Sequence, residues 1–123
     1  MAVTILTKNP ADLLAAIRKE FRDGNIETWT EDRDGDFTHV PKQWKWKAWF
    51  RPSVDDGSLV FYILGPSEAK MTTVDYAVYH GRFIEMLLSH FDAKISEVRA
   101  SAFPLRGDRL GGTRSARATA RNE

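Results

Sequence analysis

The three histidines are the first residues to weigh for chemistry, because imidazole can act as a base or as a metal ligand. His80 and His90 are ten residues apart on one predicted helix, about 280° around its axis, so they cannot share a metal ion. His80 lies in the segment DYAVYHGRF, within two helical turns of Tyr76 and Arg82. We predict these three as a candidate ligand pocket. We assign no catalytic residue, no metal and no cofactor.

Acidic residues alternate in the segment EDRDGDFTH, where Asp32, Asp34 and Asp36 match the first three ligand positions of an EF-hand loop. The match then fails, because Phe37 stands where the loop needs glycine and Gln43 where it needs glutamate. An Asp-Gly pair between strands is a favoured hairpin turn. The segment therefore predicts a turn rather than a calcium site.

The run HVPKQWKWKAWFRP (39–52) sets three tryptophans and a phenylalanine among three lysines and an arginine. As a strand over residues 42–51, it would point alternate side chains to opposite faces of a sheet. One face would then be a core row and the other a basic row. The core row consists of Trp44, Trp46, Ala48 and Phe50, and the basic row of Lys45, Lys47, Trp49 and Arg51.

The neighbouring strand, SLVFYIL (58–64), is apolar on both faces. Two helices cover one face of a small sheet, so we expect the second face to be covered by another molecule. Aromatic and arginine side chains are common anchors of such interfaces. The predicted interface residues are Lys45, Lys47, Trp49, Arg51, Phe61 and Ile63.

The positive charge of the chain is concentrated at its end. From Ala102 onward five arginines face two acidic residues, whereas residues 1–101 carry 13 basic and 15 acidic side chains. A folded body of this balance is unlike most nucleic-acid-binding domains. We predict one domain over residues 1–101, followed by a disordered, arginine-rich tail over 102–123, because the tail lacks the apolar residues that folding requires.

The start of the chain lacks the pattern of a secretory signal, no apolar run is long enough to span a membrane, and there is no cysteine. These features predict a cytoplasmic protein that has no membrane partner.

The elements that must position these residues can be read from the apolar pattern. NPADLLAAIRKEF begins a helix with Asn9 as N-cap and Pro10 in its first position. Strands are predicted at 26–31, 36–40, 42–51 and 58–64, with a further short strand in 93–101. Thr72 and Asp75 resemble a capping box ahead of a long helix. Its predicted apolar face consists of Val74, Ala77, Val78, Gly81, Ile84, Leu87, Leu88 and Phe91.

These elements define an α+β fold. We predict a two-layer sandwich in which an antiparallel meander of four to five strands carries the N-terminal helix and the long C-terminal helix mainly on one face. No glycine-rich phosphate loop or nucleophile motif occurs in the sequence.

The expected function is a small non-enzymatic interaction module that forms a homo-oligomer or docks on another protein. Two alternatives stay open: single-stranded nucleic-acid binding by the same face with the basic tail, and small-molecule binding or catalysis near Tyr76, His80 and Arg82.

Overall fold

Two α-helices and six strands make up the part of the chain that the computed structural model describes, residues 1–111. All strand pairs are antiparallel, and the order across the sheet is β2-β3-β4-β5-β1-β6. The predicted α+β class is confirmed, with six strands rather than four to five. The elements are β1 (Val3–Leu6), α1 (Pro10–Arg22), β2 (Trp29–Glu31), β3 (Phe37–His39), β4 (Trp49–Asp55), β5 (Ser58–Leu64), α2 (Thr73–Phe91) and β6 (Glu97–Ala100).

Strands β2 to β5 form the predicted meander, and β1 is the strand that the sequence analysis missed. It lies between β5 and β6, where Val3 pairs with Phe61 on one side and with Ala100 on the other. At four residues it is too short for alternation alone to reveal. Its position depends on partners more than 50 residues away in the sequence.

Both helices pack on the same face of the sheet. Phe21 of α1 meets Phe37 edge to face, with ring centroids 5.0 Å apart. Phe83 of α2 lies 4.7 Å from Phe61 and 4.6 Å from Phe50. The sheet rings also touch one another, since Phe37 and Phe61 are 5.6 Å apart. The predicted packing of both helices on one face is therefore present, and an aromatic cluster forms its centre.

The helix ends follow the predicted signals. Pro10 begins α1, although the side chain of Asn9 makes no capping hydrogen bond. At α2 the Thr72 hydroxyl accepts from the Asp75 N–H, and the Asp75 carboxylate accepts from the Thr72 N–H. This reciprocal pair is a complete capping box with Asp in place of Glu.

The buried face of α2 differs from the predicted one. Val74 and Leu88, expected in the core, are 61% and 49% exposed. Tyr79, which is not part of the predicted apolar face, is buried with Phe83 and Met86. The aromatic side chains bury more surface than the aliphatic ones, so they set the rotation of the helix. Nothing lies within 4 Å of a Cβ built on Gly81, so no neighbouring element packs closely against the helix at this position.

The predicted strand 42–51 is wrong over residues 42–48, since β4 begins at Trp49. Residues 41–47 form a turn in which the Pro41 carbonyl accepts from the N–H groups of Trp44 and Lys45. Trp46 has a positive φ of 65°, which ends any alternation through this stretch. Trp44 and Trp46 are half-buried and do not form the predicted core row.

Residues 107–111, which belong to the predicted tail, pack on the sheet. Arg109 bridges to Leu64 and Gly111 to Lys70. Gly107 lies so close to Tyr62 that an added Cβ would stand 2.6 Å from its ring. This segment therefore covers part of the sheet face opposite the helices. The arginine-rich remainder of the predicted tail, 112–123, lies outside the described residues.

Asp108 fixes the returning segment. Its carboxylate accepts from the N–H of Ile63 at 2.9 Å and from the N–H of Leu105 at 2.7 Å. The Met1 ammonium lies 3.3 Å away, and the Asp108 side chain is fully buried. A buried carboxylate with these donors ties both ends of the described chain to β5.

Neither helix in residues 1–111 combines the length and the apolar character needed to cross a membrane.

A candidate basic groove

Three of the six predicted interface residues have no exposed surface. Trp49, Phe61 and Ile63 are each 0% exposed. Phe61 and Ile63 belong to the face that the helices cover, where Phe61 contacts Phe83. The expectation that these side chains share one open face is therefore wrong, because the chain covers both sides of β5 itself.

Arg51 has an internal partner. Its guanidinium donates two hydrogen bonds to the Asp36 carboxylate, at 3.0 and 2.8 Å, and that carboxylate is only 1% exposed. The hydrogen bond to Asp36 raises the pKa of Arg51 above its ordinary range. This bidentate geometry is the strong form of the ion pair. It fixes the turn after β2 to β4, so Arg51 has a structural explanation.

The predicted pocket of Tyr76, His80 and Arg82 does not converge. The rings of Tyr76 and His80 meet edge to face at 5.6 Å. His80 is buried, while Arg82, two residues on, is exposed, because such residues point about 200° apart on a helix. The two ring nitrogens of His80 contact the carbonyl oxygens of Tyr76 and Met1. Burial lowers the pKa of His80, against the effect of these two carbonyl groups.

The remaining predicted residues, Lys45 and Lys47, line a groove of about 430 Å³ between two loops. One wall is the 41–48 loop, and the other is the 65–72 loop that leads into α2. This volume is within the range of small-ligand and peptide sites. We call it the basic groove, and its lining consists of Lys45, Trp46, Lys47, Pro66, Glu68, Ala69, Lys70, Met71, Thr72 and Asp75.

A buried hydroxyl holds the first wall. The Tyr79 hydroxyl donates to the Trp44 carbonyl at 2.5 Å and lies 3.1 Å from the Thr38 hydroxyl. The Thr38 hydroxyl donates to the Ala48 carbonyl at 2.9 Å. Burial raises the pKa of Tyr79, so this hydroxyl keeps its proton at neutral pH. Helix α2 therefore fixes the start of the 44–48 stretch through the Tyr79 hydroxyl, and strand β3 fixes its end through the Thr38 hydroxyl.

The returning C-terminal segment holds the second wall. The Gly65 N–H donates to the Arg109 carbonyl, and the Met71 N–H donates to the Leu110 carbonyl, each at 2.7 Å. A Cβ on Gly65 would stand 2.5 Å from the Leu110 carbonyl oxygen. Only glycine permits this approach of two backbones. Both walls of the groove are therefore attached to the sheet by buried or tightly packed groups.

Trp46 gives the groove its aromatic surface. Its positive φ of 65° is unusual for a bulky residue, and such a conformation costs about 1–3 kcal/mol. The Lys45 ammonium lies 4.7 Å from the centre of the Trp46 ring, as in a cation–π contact. The indole is half-exposed rather than part of the core. Strain of this kind clusters at functional sites.

The lining is electropositive. Three lysines face Glu68 and Asp75, which leaves a net charge of +1. The Asp75 carboxylate is engaged by the Thr72 N–H, and Glu68 accepts a hydrogen bond from Ser67. The N-terminal end of α2 adds a partial positive charge at Thr72. These groups equip the groove to bind an anionic ligand that also offers a flat or apolar surface.

Sequence reasoning found two of the four central residues and missed Trp46 and Lys70. A strand over residues 42–51 places Trp46 in the core row, whereas the loop leaves it half-buried beside the groove. The signal for a loop was Pro41, which cannot donate to a sheet ladder. Lys70 lies far along the chain, and only the folded loops bring it opposite Lys45 and Lys47.

Comparisons with known proteins found no matching family model, no similar curated protein and no similar solved structure.

Proposed function

We propose that this protein is a non-enzymatic binding module that docks an acidic segment of a partner protein in the basic groove. The observation that carries the proposal is the meeting of Lys45, Lys47 and Lys70 around the half-exposed, strained Trp46. Ammonium groups attract carboxylates from a distance. The indole and the apolar part of the lining bind the side chains between the carboxylates.

The charge of the body favours an acidic protein segment over nucleic acid. When the three arginines and one glutamate of residues 112–123 are set aside, residues 1–111 carry 15 basic and 16 acidic side chains. A polyphosphate chain that extended beyond the groove would therefore meet a body that has no basic excess. Nucleic-acid sites carry a broad basic excess. A short acidic peptide needs only the local charge of the groove.

Self-association through the sheet face loses its main support, since Trp49, Phe61 and Ile63 are buried within the chain. The predicted docking on another protein is retained and moves from the sheet face to the groove. The predicted cytoplasmic location stays a prediction.

Fluorescence anisotropy tests the proposal with a labelled peptide of alternating glutamate and leucine. We expect saturable binding, with an affinity about tenfold lower for the triple variant Lys45→Gln, Lys47→Gln and Lys70→Gln, since each exposed ion pair is worth about 0.2–1 kcal/mol. Trp46→Ala should also weaken binding while the circular dichroism spectrum is kept.

The matched control is Lys8→Gln, Lys19→Gln and Lys94→Gln, which removes the same charge from exposed lysines elsewhere. It should bind the peptide as the wild type does. Equal losses in the two triple variants would show a non-specific charge effect and refute the groove. Tighter binding of a labelled oligothymidylate than of the peptide would favour the nucleic-acid alternative instead.

A further inference from the structure

A second cavity, of about 160 Å³, lies between α2 and the β2–β3 pair, away from the basic groove. Its sheet side is formed by Thr28, Trp29, His39 and Pro41. Its helix side is formed by Arg82, Glu85, Met86, Ser89 and His90. Residues 82, 85, 86 and 89 follow the spacing of one helix face, so α2 presents a polar stripe to the end of the sheet.

His39 is the buried polar residue of this cavity, only 2% exposed. Its Nδ1 lies 2.8 Å from the Thr28 carbonyl oxygen, which can only accept, so Nδ1 carries the proton. Burial, together with the charge of Arg82, lowers the pKa of His39. The ring is therefore neutral at pH 7, and Nε2 presents a lone pair.

Nε2 of His39 has no hydrogen-bond partner in the described part of the chain. A buried acceptor without a donor is unfavourable by about 1–3 kcal/mol. The ring is held rigidly, because it stacks on Trp29 with centroids 4.5 Å apart and Nδ1 is fixed to the backbone. Such a group is ready to accept a hydrogen bond from a ligand.

Two opposite charges complete the lining. Arg82 and Glu85 both line the cavity, and their charges act on His39 in opposite directions. No salt bridge joins either of them to another residue within 1–111. A guanidinium binds a carboxylate with two parallel hydrogen bonds, and a carboxylate such as that of Glu85 binds an ammonium.

We propose that this cavity binds a small zwitterionic α-amino acid, with its carboxylate at Arg82 and its ammonium shared between Glu85 and Nε2 of His39. The size agrees, since about 160 Å³ has room for roughly five non-hydrogen atoms at about 30 Å³ per water-sized group. Trp29 and Met86 provide an apolar wall that suits a short side chain rather than a second charge.

The test is a titration of the ¹⁵N-labelled full chain with glycine, L-alanine and L-serine, followed by ¹H–¹⁵N NMR. We expect saturable shifts at residues 28, 39 and 82–90, with a Kd of about 1 mM. His39→Asn should weaken binding about tenfold or more, because asparagine keeps a donor to the Thr28 carbonyl but removes Nε2. Arg82→Gln, at an exposed position, should do the same without affecting the fold.

Arg33→Gln is the matched control, since Arg33 is an exposed arginine in the turn after β2 and should leave binding unchanged. No saturation at about 50 mM glycine, some fifty times the expected Kd, would overturn the proposal. Equal binding of acetate and glycine would also overturn it, because acetate lacks the ammonium group. Wild-type affinity in both His39→Asn and Arg82→Gln would exclude this cavity as the site.

Discussion

Removal of one hydroxyl group from Tyr79 tests how the basic groove is held in place. Tyr79→Phe keeps the ring that packs edge to face on Trp29 at 5.6 Å. It removes the oxygen that contacts the Trp44 carbonyl and the Thr38 hydroxyl. The substitution therefore removes the hydrogen bond that anchors the 41–48 loop and leaves the packing of the core unchanged.

The expected loss of stability in Tyr79→Phe follows from the number of hydroxyl protons that can form hydrogen bonds. The two hydroxyl groups supply two protons for three contacts, to the Trp44 carbonyl, the Ala48 carbonyl and each other. In the variant, Thr38 still donates to Ala48, so about one hydrogen bond is lost, and the Trp44 carbonyl keeps only the longer contact with the Lys47 N–H at 3.2 Å. We expect a loss of about 1–2 kcal/mol in the free energy of unfolding. That loss corresponds to a fall in Tm of roughly 5–10 °C for a domain of this size.

Urea unfolding followed by circular dichroism measures this change, with an unchanged m-value as evidence of an intact fold. The affinity for the acidic peptide should fall about threefold to tenfold, since a loosened loop must be ordered on binding. Tyr62→Phe is the matched control, because the Tyr62 hydroxyl makes no hydrogen bond within residues 1–111. Unchanged stability and unchanged affinity in Tyr79→Phe would refute the view that this hydroxyl positions the groove.

Three further outcomes are expected. Asp108→Asn should lower the free energy of unfolding by about 2–4 kcal/mol, because the buried carboxylate accepts from two backbone N–H groups and faces the N-terminal ammonium. A Tm equal to that of the wild type would contradict the view that Asp108 stabilises the fold. Arg51→Met should lower the free energy of unfolding by about 1–3 kcal/mol through loss of the bidentate contact with Asp36, and should leave peptide affinity unchanged. A loss of peptide affinity without a loss of stability would instead support Arg51 as an interface residue. Burial lowers the pKa of both His39 and His80, so below about pH 6.5 the unfolded chain binds more protons than the folded one. The free energy of unfolding should therefore fall as the pH drops below about 6.5, by at most about 1.4 kcal/mol per pH unit for each histidine. Urea unfolding between about pH 7.5 and 5.5 measures this slope, which His39→Asn should reduce; a rise in stability on acidification would show the opposite linkage.

The elements with strong local signals were predictable. Helix α1 begins at Pro10 as expected, the capping box at Thr72 is complete, and β5 covers the predicted residues 58–64. Each of these depends on neighbours in the sequence: a cap, a fixed proline φ or a continuous apolar run. Strand β1 and the start of β4 were not predictable in this way. The first is defined by distant partners, and the second by a turn that imitates alternation.

The basic groove was predictable only in part, for the same reason. The sequence indicated that Lys45 and Lys47 lie outward beside aromatic residues, and they line the groove. It placed Trp49 and Phe61 beside them on an exposed face, whereas both are buried. Alternation along a strand gives the side of the sheet but not what covers that side.

By itself, the sequence determined the α+β class, both helices and the basic, aromatic character of residues 42–51, since composition and local periodicity carry that information. Only the tertiary structure decided which of those side chains reach solvent. Residues 107–111 return to cover part of the sheet, the Tyr79 hydroxyl anchors the 41–48 loop, and Lys70 comes from the 65–72 loop. These contacts join residues far apart in the chain, so their free energy depends on the whole fold and leaves no local pattern in the sequence.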